Sequence, residues 1–396
     1  MSEAAIVEHP IEAIGTPACE TLLVYRHRLA PPSEAAFLRR FYLGFERLAP
    51  VWLGYHIEPG ASALTNEPVR LGGGGPAGAI DRALFRHFGV MPSWPDLAGL
   101  RPRVLHAHFG QGGALALPLA RRLGIPLVVT YHGGDATKAT HYRSRFVPRL
   151  YARRLPELQR EVALFVCVSD FVRDRLLARG FPAEKLQVIH QGVERAACPS
   201  AAVAGHRGFD EPYVLFVGRF VEKKGAAHLI EAMRLVETQG GNARLVLIGG
   251  GPLGDRLKQQ ARALSRVTFA GWQPNAAVRA WMRGAIAVCV PSTIGADGDS
   301  EGLPTVIFEA MAEGAPVVAS RHAGIAEAVE HGCTGLLVPE ADPRALAEAL
   351  TALIGQPELR QRLGSAARVV VAERFDAVRQ SRRLENALLR VAGTSR

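Results

Sequence analysis

The sequence predicts an α/β fold of two open, mainly parallel sheets in series. Three observations carry this. The chain has 396 residues, which suits two domains better than one. Short apolar runs rich in β-formers alternate with helical patterns through both halves. One turn-rich stretch without periodicity, AACPSAAVAGHRGFDEP at 196–212, parts the two series.

In the first half the runs at 21–27, 51–57, 104–109, 127–132, 164–169 and 186–192 read as buried strands. Helical patterns lie between most of them, at 33–48 and 111–123 for example. In the second half the strands are 213–219, 244–250, 267–272, 286–292, 315–320 and 334–339, and from about 342 the pattern is helical only. The expected domains are residues 1–197 and 210–375, with a helix at 376–396 packing back on the first. Open α/β sheets bind ligands at the carboxyl ends of their strands, so two in series leave a cleft between facing edges.

Hydrophobic residues make up 48%, enough for two cores, yet no run reaches the ~20 apolar residues of a membrane span. The opening MSEAAIVEHPIEAIG is acidic and lacks an apolar segment, so a cytoplasmic protein is expected. Cys19, Cys167, Cys198, Cys289 and Cys333 form no C-x-x-C pair, which argues against a structural metal. The net charge of +10 suits anionic partners without choosing among nucleotides, lipid phosphates and nucleic acid. The arginines are spread over both halves, not gathered with aromatic platforms, which disfavours nucleic acid.

The pattern G-x-G-x-x-G occurs at Gly73, Gly75 and Gly78, where it reads as a loop, and at Gly249, Gly251 and Gly254. The second copy follows a strand, but no acid stands about 20 residues on, as a dinucleotide site requires. Gly249 and Gly250 read instead as a tight turn beside a ligand. GRFVEKKG at 218–225 ends the first strand of the second domain and puts Arg219 and Lys224 where phosphate oxygens would sit. A solvated basic turn is the other reading of that stretch.

SEGLPTVIFEAMAEG (300–314) encodes a helix at about 304–313, with Pro304 suited to its start and Gly314 to its end. Its amino terminus is an anion site. On the wheel Ile307, Ala310 and Met311 share one face and Glu309 lies roughly opposite. Glu301 and Glu309 are eight residues apart, about 12 Å on a helix, too far for the ~5 Å carboxylate pair of a retaining hydrolase.

At these residues the chain resembles the retaining GT-B glycosyltransferases of family 4. The runs G-R-F-x-x-x-K-G (218–225), L-I-G-x-G-P (247–252), E-G-L-P-x-x-x-x-E-A (301–310), G-x-P-V-V-A-S (314–320), G-x-x-E (324–327) and G-x-L-V-P (335–339) stand in that family's order. In the first domain PPSEAAF (31–37), HAHFG (106–110) and TYHGGD (130–135) are similar to colanic-acid-type exopolysaccharide enzymes. The resemblance implies a GT-B fold of two Rossmann-like domains. It implies donor contacts from Arg219, Lys224, Gly249, Gly250, Trp272, Gly302, Leu303, Pro304, Thr305 and Glu309, with Glu301 on the sugar and Glu309 on the ribose. It places His132 nearest the reacting sugar, so His132 and Glu301 are the catalytic candidates. His108, Asp135 and Glu34 are the acceptor candidates; Ser33 and Glu34 read equally as a helix cap and first turn.

The implied activity is retaining transfer from a nucleoside diphosphate sugar, UDP or GDP, to a glycan or lipid-linked saccharide. No cofactor and no metal are expected. A polyprenyl-diphosphate-linked acceptor and an anionic membrane surface are the expected partners. Arginines with interleaved aromatics at 140–160 would meet that surface; a solvated helix is the alternative. A sugar-nucleotide epimerase of the same architecture and an inactive glycan-binding protein are the rival readings.

Overall fold

The computed structural model describes residues 19–29, 37–60, 64, 66–72, 75–88, 95–138, 150–194 and 209–394. The first sheet is wholly parallel. Its strands are β1 (Glu20–Tyr25), β2 (Leu48–Gly54), β3 (Val69–Arg70), β4 (Pro102–His108), β5 (Leu127–Tyr131), β6 (Leu164–Cys167) and β7 (Leu186–Val188), in the order β3-β2-β1-β4-β5-β6-β7. The second sheet holds β8 (Tyr213–Val217), β9 (Arg244–Ile248), β10 (Val267–Gly271), β11 (Ala287–Val290), β12 (Val317–Ser320) and β13 (Leu336–Val338), in the order β10-β9-β8-β11-β12-β13. Both orders reverse beside the first strand, between β1 and β4 and between β8 and β11. At such a switch point a crevice opens at the carboxyl edge, which fixes where each sheet takes a ligand.

The strands form because their residues can be buried on both faces. Leu22, Leu23, Val24 and Tyr25 of β1 and Val317, Val318 and Ala319 of β12 have no exposed surface. Helices cover both faces. The helix α1 spans Gly75–Phe88 and α2 spans Gly110–Leu123, ended by Gly124 in the left-handed conformation. Two further helices, α3 (Leu150–Glu161) and α4 (Asp170–Leu177), complete the first lobe, and Ser169 Oγ caps α4 by accepting from Val172 N. Gly75 and Gly78 lie in α1, so these two glycines of the first pattern are helical and not loop; Gly73 lies outside the described residues. Of the expected helix at 33–48, residues 33–36 lie outside the described residues, 37–39 are helical and Arg40–Tyr42 form a 3-10 turn. Its end is corrected: β2 already starts at Leu48, because Leu48 and the VWLG run fill the first core.

Three helices close the chain: α5 (Pro343–Gly355), α6 (Pro357–Arg374) and α7 (Ala377–Thr394). Ala367 and Val371 of α6 join the second core, and Phe375 stacks on Phe308 at 4.4 Å. The chain then crosses back. Val193 N donates to Phe375 O at 2.8 Å and Ala377 N to Val193 O at 3.0 Å. Leu384 and Leu388 of α7 belong to the first core. Ser381 Oγ takes the N–H of Gly44, and one Glu385 oxygen takes the N–H groups of Glu46, Arg47 and Leu48 at 2.7–2.9 Å. Among the described residues no helix is long and apolar enough to cross a membrane.

Candidate active site

The carboxyl edge of the first sheet is built from neutral, buried groups. Alternate residues of a strand share a face, so His106 and His108 of β4 stand beside Thr130 of β5, and His132 follows just past that strand's end. The Tyr42 hydroxyl lies 2.7 Å from His106 Nδ1 and 2.7 Å from His108 Nε2. His108 Nδ1 lies 3.1 Å from His132 Nε2. Burial pushes the His106 imidazole down to about 3 and holds those of His108 and His132 well below their usual value, so all three are neutral. Phe109 has φ 68°, a conformation that side chains rarely adopt. That backbone sets its ring 4.3 Å from the His132 ring, with the Arg26 guanidinium 4.1 Å over it.

The carboxyl edge of the second sheet carries charge and bare backbone. At Gly249 φ is 130°, and a Cβ there would lie 2.0 Å from Gly218 O, so only glycine fits. Lys224 Nζ sits 3.1 Å from Glu301, and Lys223 Nζ lies 3.1 Å from Asp299 and 3.8 Å from Glu301. Burial would raise the Glu301 carboxyl, but Lys224 and Lys223 overcome it and hold it below its usual value. Arg219 and Trp272 are exposed at the rim. The helix α8 (Thr305–Glu313) rises from this edge.

This helix α8 spans Thr305–Glu313, with Pro304 as its cap and Gly314 at φ 71° ending it. It starts one residue after the expected first position because Pro304 is extended. Gly302, Leu303 and Pro304 are buried and bring its first N–H groups to the cleft. The helix is buried on nearly every side, so Glu309 faces the other lobe and not a polar surface. Its carboxylate meets Arg40 at 2.6 Å, and both side chains are largely buried.

The two edges touch. A Cβ on Gly302 would lie 2.4 Å from His132 O, and one on Gly133 would lie 2.2 Å from Gly302 N. Ser169 Oγ donates to Gly302 O at 3.2 Å, and Ser300 N donates to Thr137 Oγ1 at 3.0 Å. Farther out, Glu327 accepts from the N–H groups of Asp170 and Phe171 and lies 3.1 Å from His190 Nε2. A cavity of about 460 Å³ remains at the junction, lined by Arg26, Phe109, His132, Lys138, Lys223 and Asp299 among others.

The structure thus brings His132, Lys224, Glu301, Gly302, Leu303 and Pro304 together. His108 does not line the cavity, as an acceptor contact would need: it is fully buried behind His132, held there by Tyr42. Asp135 lines the cavity, but its carboxylate bonds the backbone of the His132 loop and not the His132 ring. Its oxygens take the N–H groups of His132, Gly133 and Gly110 at 2.9–3.1 Å and so shape the loop, while burial raises its carboxyl. Glu34 and residues 139–149 lie outside the described residues. Of the 140–160 segment, Leu150, Tyr151 and Leu158 turn into the first core and Arg153 and Arg160 outward. Sequence reasoning missed Tyr42, His106, Arg26, Phe109 and Arg40. The period-two pair in HAH was a signal for His106; nothing local marks Arg40, whose partner is 269 residues away.

The comparisons with known proteins agree with this geometry. Residues 206–370 match the family model described as glycosyl transferases group 1, and residues 57–196 match that of glycosyltransferase family 4. The chain is 35% identical over 254 residues to the amylovoran biosynthesis glycosyltransferase AmsK of Erwinia amylovora, covering 62% of this chain and 60% of that protein. It therefore spans less than two thirds of that relative's length. It is 31% identical to the GDP-mannose-dependent alpha-(1-6)-phosphatidylinositol monomannoside mannosyltransferase of Mycolicibacterium smegmatis, over 69% of this chain and 75% of the relative. In fold it is similar to Anabaena Alr3699/HepE, whose crystal structure holds UDP and glucose, with a TM-score of 0.72, 20% identity and coverage of 93% and 99%. The chain belongs to the family 4 glycosyltransferases and has their two-domain GT-B fold.

Proposed function

We propose that this chain transfers a sugar from a nucleoside diphosphate donor to a saccharide acceptor, with retained configuration and without a metal. The observation that carries the reading is the meeting of the Lys224–Glu301 pair and the α8 terminus with His132 across the cleft. A donor diphosphate at that terminus would replace Glu301 as the partner of Lys224, and Glu301 would turn to sugar hydroxyls. Arg219, Lys224 and the free N–H groups of α8 would stabilise the charge that grows on the departing diphosphate. The acceptor hydroxyl would attack from the face of the leaving phosphate, which takes its proton. The protein's work is then orientation and charge stabilisation. Glu309 would clasp the ribose once released by Arg40, and Trp272 would lie at the base.

UDP or GDP is the proposed nucleotide. One structural neighbour holds UDP and one relative is named as GDP-mannose-dependent. A polyprenyl-diphosphate-linked saccharide is the proposed acceptor, in exopolysaccharide or cell-surface polysaccharide synthesis. Arg26, Lys138 and Lys223 beside His132 suit an anionic acceptor. Work at the cytoplasmic face of a membrane fits the outward Arg153 and Arg160, by charge more than by insertion. The test is a panel of UDP-, GDP- and ADP-sugars, screened for binding and then for transfer to polyprenyl-linked acceptors. Expected is one nucleotide bound and sugar transferred. Release of nucleotide at the full turnover rate without any acceptor would overturn the reading in favour of an epimerase-type reaction.

A further inference from the structure

Behind His132 the buried polar groups form one unbroken line. Thr130 Oγ1 lies 2.6 Å from His106 Nε2, the Tyr42 hydroxyl bridges His106 and His108 at 2.7 Å each, and His108 meets His132 at 3.1 Å. Thr130, His106 and His108 have no exposed surface, and Tyr42 has 4%. Each imidazole is neutral, so it has one N–H and one bare nitrogen. Both ring nitrogens of His106 and of His108 are engaged. The Tyr42 hydroxyl then either gives its hydrogen to one histidine and accepts from the other, or accepts from both and leaves its own hydrogen without a partner.

Counting hydrogens leaves three arrangements. The five groups bring one hydrogen each, and the four links between them use four. The fifth sits at one end of the line or on Tyr42; on Tyr42 it is buried, meets no further acceptor among the described residues and stays unmade. If every bond runs towards Thr130, the spare hydrogen is that of the Thr130 hydroxyl, which meets no acceptor among the described residues and which no ligand can reach. If every bond runs towards His132, the spare hydrogen is on His132 Nδ1. That atom is itself buried and has no partner in the structure, but it belongs to the half-buried side chain that lines the cleft cavity, the one end of the line that a ligand oxygen can approach. An unmade buried donor is destabilising, so only the arrangement that runs towards His132 is made whole when substrate binds.

We infer that Tyr42 is a positioning residue that fixes His132 as the Nδ1–H tautomer, so that His132 offers the cleft a hydrogen-bond donor and not a base. This deepens the glycosyl-transfer reading and rests on it for the role of His132. The donor would bond a hydroxyl or phosphate oxygen of the sugar nucleotide. The acceptor's proton would go to the leaving phosphate, since His132 Nδ1 is already protonated and Nε2 is taken by His108.

The test uses full-length protein carrying 15N-histidine and long-range proton–nitrogen correlation, with His132 assigned by the signals missing from His132→Gln. Wild-type His132 should show a protonated Nδ1 and a bare Nε2. Tyr42→Phe keeps the ring against Phe45 and Trp52 but breaks the line. It should abolish the single-tautomer pattern at both His108 and His132. Tyr131→Phe, which removes a different buried hydroxyl bond (to Tyr151, 2.9 Å), should leave the pattern in place. With UDP-glucose or GDP-mannose as donor, Tyr42→Phe should lower kcat about tenfold or more while the donor KM stays within about twofold. A wild-type His132 protonated at Nε2, or a Tyr42→Phe spectrum equal to wild type, overturns the inference. If neither donor turns over, the tautomer result still decides it, and the glycosyl-transfer reading is what fails.

Discussion

The two sheets share a strand order, yet the edges they turn towards each other hold opposite chemistry. The first edge is neutral at its centre: the buried His106 and His108 are bridged by Tyr42, the half-buried His132 meets His108, and phenylalanines pack around them, with Arg26 the cation at their side. The second keeps its charges, because Lys224 and Glu301 stand 3.1 Å apart and Arg219 stays in solvent. One topology thus supplies both a wall with a neutral hydrogen-bonded centre and a charged cradle. The difference is set by what each strand end buries, not by the fold.

Removing the charge from the cradle should have the largest effect. Arg219→Ala with Lys224→Ala should lower turnover about 10²–10³-fold or more while far-UV circular dichroism stays unchanged. Near-normal turnover would break the division of labour. Next comes pH, which should separate the edges. The histidines of the wall are all held below 6.5, so below that value the unfolded chain binds protons that the folded one does not. Stability should fall as pH drops from 6.5, by on the order of 1 kcal/mol per histidine per pH unit. Glu301, held below 4.5, adds its own loss only below that value. Urea titrations showing equal stability at pH 7 and pH 5 would contradict the neutral wall.

Gly249→Ala tests the backbone of the cradle. With φ at 130° and Gly218 O in the way, it should cost about 2–4 kcal/mol by urea unfolding. A neutral result would mean that the turn can move. The smallest effect should come from Glu385→Ala, which strips the acceptor of three N–H groups from the turn after Tyr42. It should cost about 1–3 kcal/mol and lower the melting temperature, chiefly by loosening the first lobe.

The cradle was far more legible in the sequence than the wall. Its parts are local: Gly218 and Arg219 follow β8, and Glu301 and Pro304 precede α8, so each lies within a few residues of a pattern that names it. The strands were legible for the same reason, as apolar runs of the right length. The wall is assembled across the sheet. Tyr42 reaches His106 over 64 residues, and Arg40 reaches Glu309 over 269, so no window of sequence holds both partners. His108 is legible, but as an acceptor contact, since a motif does not say which side of its strand is covered. The run at 33–48 has helical spacing, yet its end at Leu48 is claimed by the sheet, because tertiary burial outweighs local propensity.

The return of α7 to the first lobe has a consequence for synthesis. Glu385 holds the N–H of Leu48 from 337 residues downstream. At about 5–20 residues per second, a nascent first lobe waits roughly 20–70 s for that clamp. The turn that carries Tyr42 therefore leaves the ribosome 337 residues ahead of the acceptor that secures it. Until that acceptor arrives, the wall behind His132 lacks its clamp.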